Sequence, residues 1–272
     1  MDTALNTLRQ DIETLLRREA DPRTGQLTVT PEVAEWLGKG TPHPAVRSVA
    51  TPAPQQPERE LFVEPAPTAQ RVAAAAGSET LDALAEAVAG CQRCSLCKTR
   101  TQTVFGSGNQ NADLVFVGEA PGEEEDRQGI PFVGRAGQLL TTIIEHPRSM
   151  GLPRDSVYIC NVLKCRPPGN RNPAAEEMTQ CEPYLVRQLE LLQPKVICAL
   201  GGYAAKQLLK TDAPVGRLRG KWHSYHGIPV RVTYHPSYLL RLTGDAERAE
   251  KRKVLDDVLA VMRVLKGEET PE

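Results

Sequence analysis

The sequence predicts an α/β fold, a three-layer α/β/α domain around a mostly parallel, four-stranded central sheet. Short apolar runs at 114–117, 157–162, 196–200 and 228–233 read as strands. Stretches of helical periodicity lie between and after them, near 136–145, 174–192, 203–209 and 245–265. Alternation of this kind builds a parallel sheet covered on both faces, and continuous apolar runs are what doubly covered strands need.

Along the chain, Leu5, Leu8, Ile12, Leu15 and Leu16 repeat at helical spacing. A second short helix opens at Thr30 and Pro31 and ends near Gly38. Residues 1–37 are therefore read as an N-terminal helical extension. Residues 38–79 carry seven prolines and few large apolar groups, a composition that cannot offset its ordering entropy, so a Pro/Ala-rich disordered linker is expected. One island within it, Glu60-Leu61-Phe62-Val63-Glu64, reads either as a short docking motif or as chance. Ser78 can cap a helix running to Ala89. The α/β domain is placed at 80–266, with 267–272 as a tail. In its last helix Val254, Leu255, Val258, Leu259, Met262 and Leu265 share one face.

The 272 residues have a formal net charge of -1, so nucleic-acid binding would need a local patch. There is one: between Gly201 and Lys253 stand eleven Lys and Arg against four Asp and Glu, and Arg217, Arg219 and Lys221 belong to it. Residues 1–79 are acidic, with eight basic against eleven acidic side chains. The chain's start shows no basic segment followed by an apolar one, and no apolar run is long enough to span a bilayer, so a cytoplasmic protein without membrane contact is expected. In a reducing compartment the seven cysteines read as metal ligands or core residues rather than disulfides. Cys91 and Cys94 form a Cys-x2-Cys pair, with Cys165 and Cys181 far downstream. Four thiolates on separate segments suit a tetrahedral zinc or an iron–sulfur cluster.

In parallel sheets the ligand sits at the carboxyl ends of the strands. The first apolar run leads into Gly118-Glu119-Ala120-Pro121-Gly122, a rigid turn with exposed N–H groups that is either an ordinary connection or a loop that approaches a ligand closely. Glu123-Glu124-Glu125-Asp126 follows, and such a run of acids is usually a solvated face. Phe132, in a glycine-rich loop, either anchors the core or offers a flat face to a planar ligand. Asn161 ends the second run, where its amide can cap a turn or read the edge of a base. His235, held by Pro236, follows the fourth run on the same expected sheet edge. Tyr238, Leu239 and Leu240 come next, apolar side chains that either pack on the domain or wedge into a base stack.

Together, Cys91-x2-Cys94, Gly118–Gly122, residues 131–137 (Pro-Phe-Val-Gly-Arg-Ala-Gly), residues 161–168, Cys181 and His235-Pro236-Ser237 resemble the family 4 uracil-DNA glycosylases, the iron–sulfur branch of that superfamily. The resemblance runs from about Leu84 to about Leu265. It implies a [4Fe–4S] cluster on Cys91, Cys94, Cys165 and Cys181, with Cys97 able to compete because it makes a second Cys-x2-Cys with Cys94. It implies a DNA repair glycosylase that flips uracil from DNA and hydrolyses its N-glycosidic bond. The catalytic residues would be Glu119, Asn161 and His235. The uracil pocket would be formed by Gly118, Glu119, Ala120, Glu124, Phe132, Asn161 and His235. DNA would meet Arg217, Arg219, Lys221, Ser237, Tyr238, Leu239, Leu240 and Arg241. The partner is then uracil-containing DNA, with a monomer expected and the N-terminal arm open to a protein partner. In the best-known branch of the superfamily the loop supplies an aspartate where this chain has Ala120. A covalent uracil-DNA-trapping relative would carry Gln there and a basic insert ending in His, and neither is present. A second alternative is a non-catalytic iron–sulfur DNA-binding or replication-associated module.

Overall fold

The computed structural model describes residues 80–271, and their six strands form one sheet in the order β1-β3-β2-β4-β6-β5. The strands are β1 Ser107–Gly108, β2 Leu114–Gly118, β3 Tyr158–Asn161, β4 Val196–Leu200, β5 Trp222–Tyr225 and β6 Ile228–Thr233. The central four, β3-β2-β4-β6, run parallel, and β1 and β5 are added antiparallel at the edges. The expected four-stranded sheet is thus corrected to a mixed sheet of six. Neither edge strand carries a continuous apolar run, because β1 is two residues long and β5 has no fully buried residue.

Eight α-helices accompany the sheet among the described residues: α1 Leu81–Ala89, α2 Glu123–Gln128, α3 Arg135–Glu145, α4 Ala175–Leu192, α5 Gly202–Leu209, α6 Val215–Leu218, α7 Pro236–Leu239 and α8 Gly244–Leu265. Thr80, rather than Ser78, caps α1, its hydroxyl accepting from the Ala83 N–H at 3.2 Å. Ser78, the expected helical extension, the linker and the island at 60–64 lie outside the described residues.

Strand periodicity divides the core into two clusters, one on each face of the sheet. Val115, Val117, Ile197 and Ala199 face one cluster with Leu84 and Val88 of α1, Leu185 and Leu189 of α4, and Ala204 of α5. Leu114, Phe116, Val196 and Cys198 face the other, with Leu139 and Ile144 of α3 and Val254, Val258 and Val261 of α8. Cys160 and Cys198 are both fully buried in this packing. Buried polar side chains interrupt it. Asp257 of α8 is fully buried, and its carboxylate accepts from Arg219 Nε, Arg231 Nε, Thr233 Oγ1 and the Gly220 N–H. It ties α8 to β6 and to the turn after α6. Beyond α8 the chain returns to the sheet edge, where Glu269 accepts from Trp222 Nε1 and from Arg263. Among the described residues no helix is long and apolar enough to cross a membrane.

Candidate active site

The parallel strands deliver their carboxyl ends to one edge. Gly118 and Asn161 are register partners at the ends of β2 and β3, and the Gly118 and Glu119 carbonyls accept from Val162 and Leu163, sealing the two loops together. Between β2 and β6 lies β4, whose following residue, Gly201, stands so close to His235 that a Cβ there would touch the histidine Cβ at 3.0 Å. Asn161, Gly118 and His235 therefore share one rim.

Gly118 is where this rim has no room for a side chain. A Cβ at that position would stand 2.3 Å from Asn161 Oδ1 and 2.5 Å from Phe132 Cζ. The bare backbone lets the amide and the ring close in on the same space. Asn161 is 1 % exposed, and its Oδ1 is buried with no hydrogen-bond partner. Buried acceptors are paired in the great majority of cases, so an orphan at a sheet edge calls for a ligand donor. The Phe132 and His235 ring centroids lie 5.5 Å apart at 35°. Four of the expected site residues thus converge.

Phe132 is 5 % exposed and has φ of 53°, a left-handed conformation that costs a non-glycine residue about 1–3 kcal/mol and persists only when surroundings enforce it. Two residues enforce it here. Glu125 Oε1 accepts from the Val133 and Gly134 N–H groups at 2.9 and 2.8 Å, while its Oε2 accepts from Gly122 at 3.1 Å. From the other side Arg154 Nη2 donates to the Pro131 and Phe132 carbonyls, both at 2.9 Å, and its Nη1 donates to Thr141 at 2.7 Å. Gly137 completes the fit, since a Cβ on it would stand 1.9 Å from the Phe132 carbonyl. The reading of the acidic run as a solvated face is corrected for Glu125 and Asp126. Both are buried, Asp126 accepting from the Thr101 N–H. The partners of Glu125 lie three to nine residues away and that of Asp126 twenty-five away, all outside the run of acids, so the run itself gave no sign of them. Arg154 was also missed.

His235 caps the short helix α7. Its Nδ1 accepts from the Ser237 N–H at 3.1 Å and stands 2.8 Å from Ser237 Oγ. An Nδ1 that accepts from a backbone N–H carries no proton, so the neutral ring is protonated at Nε2, which remains a donor. Desolvation, helped by the positive charge of Arg241, pushes the His235 pKa down to about 4. The same guanidinium acts on Glu119. Burial raises the half-buried Glu119 carboxyl above the usual carboxylate range, and Arg241 opposes the rise. Ala120 is partly buried against the core beside it. Glu124 is not brought into this group. It lies on the solvent side of α2, where its carboxylate accepts from Arg127 and Gln128.

The expected DNA surface divides in the same way. Of the eleven basic residues between Gly201 and Lys253, eight pair with carboxylates, Arg219 among them through Asp257. Arg217, Lys221 and Arg241 are exposed and unpaired among the described residues. Ser237 is occupied with His235. Leu239 is 1 % exposed in the core, whereas Tyr238 and Leu240 are only partly buried. A wedge from this segment would use Leu240 or Tyr238, and Leu239 anchors it.

Cys91, Cys94, Cys165 and Cys181 line one cleft between the end of α1, the loop after β3 and α4. Cys97 is not part of its lining. All four thiols are free of disulfides. Among the described residues no three His, Cys, Asp or Glu converge as a single-ion site does. Four thiols that line one cleft are a donor set an iron–sulfur cluster can use. Donors already point at them: Arg100 Nη1 to Cys165 Sγ at 3.2 Å, and the Lys164 N–H to Cys181 Sγ at 3.3 Å. Burial raises the thiols of Cys94 and Cys165, and pushes Cys181 up to about 12, while neighbouring thiolates oppose ionisation further. Such a set ionises together when a cationic centre binds it. The residues fit an iron–sulfur group.

The family model described as "Uracil DNA glycosylase superfamily" matches residues 105–259. The chain is 46 % identical over 170 residues to the type-4 uracil-DNA glycosylase of Archaeoglobus fulgidus, covering 60 % of this chain and 84 % of that one. It is 43 % identical over 194 residues to the type-4 enzyme of Thermotoga maritima, covering 70 % and 97 %. A type-5 uracil-DNA glycosylase from Pyrobaculum aerophilum is 34 % identical over 151 residues, covering 50 % and 66 %.

Proposed function

The chain belongs to the uracil DNA glycosylase superfamily, in its type-4 branch, and we infer that it is a DNA repair hydrolase acting at this site. It turns uracil out of DNA and hydrolyses the N-glycosidic bond, leaving an abasic site. The observation that carries the residue assignment is the buried, unpartnered Oδ1 of Asn161 beside Gly118 and Phe132.

An extruded uracil stacks on Phe132. Asn161 Oδ1 accepts the N3–H and its Nδ2 donates to O4. Cytosine has no proton on N3 and a donor in place of O4, so both contacts fail. Leaving such groups unpaired in a buried site costs about 1–3 kcal/mol each. As the C1′–N1 bond breaks, its electron pair goes to the uracil and spreads onto O2. The His235 Nε2–H donates there, and a neutral, fixed donor aimed at developing charge needs no reorganisation. Water then bonds C1′, and the proton it loses ends on the released uracil anion. Glu119, with backbone groups at Ala120, is assigned to hold that water. Its half-buried carboxyl and the neighbouring Arg241 support this role, while Glu124, paired with Arg127, stays outside it. Arg217, Lys221 and Arg241 take phosphates, and Tyr238 or Leu240 fills the gap in the stack.

Cys91, Cys94, Cys165 and Cys181 would hold a [4Fe–4S] cluster, which supplies iron–thiolate bonds tying α1, the loop after β3 and α4 together, along with a concentrated negative charge. The catalytic unit is assigned to residues 80–266. An oligonucleotide with one uracil, incubated with the chain and treated with alkali, tests the function. Scission at the uracil and none at thymine is expected; an uncut uracil strand would overturn it.

A further inference from the structure

Between the cysteine cleft and the uracil pocket lies a single buried cation. Lys164 is 1 % exposed. Its Nζ donates to the Asn161 carbonyl at 2.8 Å and to Gln188 Oε1 at 2.6 Å, and it stands 5.7 Å from the Phe105 ring centroid. Gln188 is itself fixed, its Nε2 donating to Tyr158 Oη and to the Phe105 carbonyl. Every one of these partners is neutral, and no carboxylate pairs with Lys164 among the described residues. A buried charge without a counter-charge is strongly unfavourable. Lys164 also lines the cleft of Cys91, Cys94, Cys165 and Cys181, and its own N–H donates to Cys181 Sγ. A thiolate-ligated iron–sulfur group there is anionic and supplies the missing charge.

The other end of Lys164 reaches the catalytic rim. Asn161 is the last residue of β3, and the ammonium closes a turn back onto its carbonyl. Tilting that peptide swings the side chain whose Oδ1 stands unpartnered beside Gly118.

We propose that Lys164 is a positioning residue joining the two sites: its ammonium is the counter-charge of the cluster, and its hydrogen bond to the Asn161 carbonyl sets where the uracil-reading amide stands. This rests on the glycosylase reading of the rim. The two ends are coupled through one side chain, so a change at either is felt at the other.

The test compares iron-loaded wild type with Lys164→Met and Lys164→Arg, purified anaerobically. In Lys164→Met the cluster's reduction potential should move negative, because a positive charge that favours the reduced form is gone. A chelator should strip its iron about tenfold faster, the effect typical of outer-shell partners of a metal site. Single-turnover excision should fall about tenfold per iron-loaded molecule with the Kd for DNA unchanged, since the phosphate-binding surface is untouched. Lys164→Arg keeps the charge but not the single-point contact, so potential and stripping should return toward wild type while excision stays low. Should the Met variant fail to fold, Lys164→Gln carries the same expectations. A potential and stripping rate equal to wild type in the charge-removing variants would overturn the counter-charge, and wild-type excision in them would overturn the positioning role. Potential and stripping are read without any excision, so a wild type that releases no uracil would fail the glycosylase reading on its own.

Discussion

Gly118→Ala places one methyl group where the pocket closes. Its carbon would stand 2.3 Å from Asn161 Oδ1 and 2.5 and 2.6 Å from two carbons of the Phe132 ring, all inside contact distance. Neither neighbour yields cheaply. Asn161 is 1 % exposed, with its backbone carbonyl held by Lys164. Phe132 is clamped by Arg154 on one side and by Glu125, through the following residues, on the other. Overpacking of this kind costs about 1–3 kcal/mol of stability, and for a domain of this size each kcal/mol lowers the Tm by about 2–4 °C. Catalysis should suffer more. Moving the amide or the ring by about 1 Å costs on the order of 100-fold, or about 2.7 kcal/mol in kcat/KM. The assay is single-turnover release of uracil from an oligonucleotide, with iron absorbance and a melting curve on the same preparation. A folded, iron-loaded Gly118→Ala excising within about threefold of wild type would refute the proposed pocket.

Asn161→Ala and His235→Ala should each lower excision by about tenfold or more while leaving iron absorbance intact, which a parallel spectrum checks. Cys165→Ser should lower iron content and soluble yield together, because holding the metal contributes to folding. His235 has a folded pKa near 4 against about 6.5 unfolded, so the unfolded chain binds a proton that the native ring refuses. Stability from this residue is therefore complete above about pH 6.5 and is lost as pH falls through 4, by roughly 3 kcal/mol in all, measurable by denaturant titration. The same neutral ring means no step in the excision rate near pH 6.5; one that disappears in His235→Gln would contradict its assigned protonation. Arg241→Ala should weaken DNA binding and reduce the salt slope by about one, which titrations at several ionic strengths would show.

The central strands were legible because doubly covered strands leave an unbroken apolar signature, and β2, β4 and β6 fall within one residue of the runs at 114–117, 196–200 and 228–233. The edge strands left no such mark. β5 nevertheless carried a turn signal: His226 and Gly227 link it to β6 with φ of 48° and 84°, the left-handed pair of a two-residue hairpin. At the site, Gly118, Phe132, Asn161 and His235 were readable as residue types at strand ends and in a glycine-rich loop. Their supports were not. Arg154 binds Phe132 and Asp257 takes Arg219, contacts that exist only once distant segments meet, and Glu125 reaches Val133 and Gly134 only when the intervening loop folds back. The basic stretch was legible only as a total for the same reason, since charge counted along the chain does not reveal which cations are paired by folding.

The assigned pocket is tested most directly by the crystal structure of the iron-loaded chain soaked with free uracil. The ring should lie on Phe132, with N3 and O4 at the Asn161 amide and O2 at His235 Nε2. Uracil bound elsewhere, or seated in this pocket with O4 and N3 turned away from Asn161, would contradict the account.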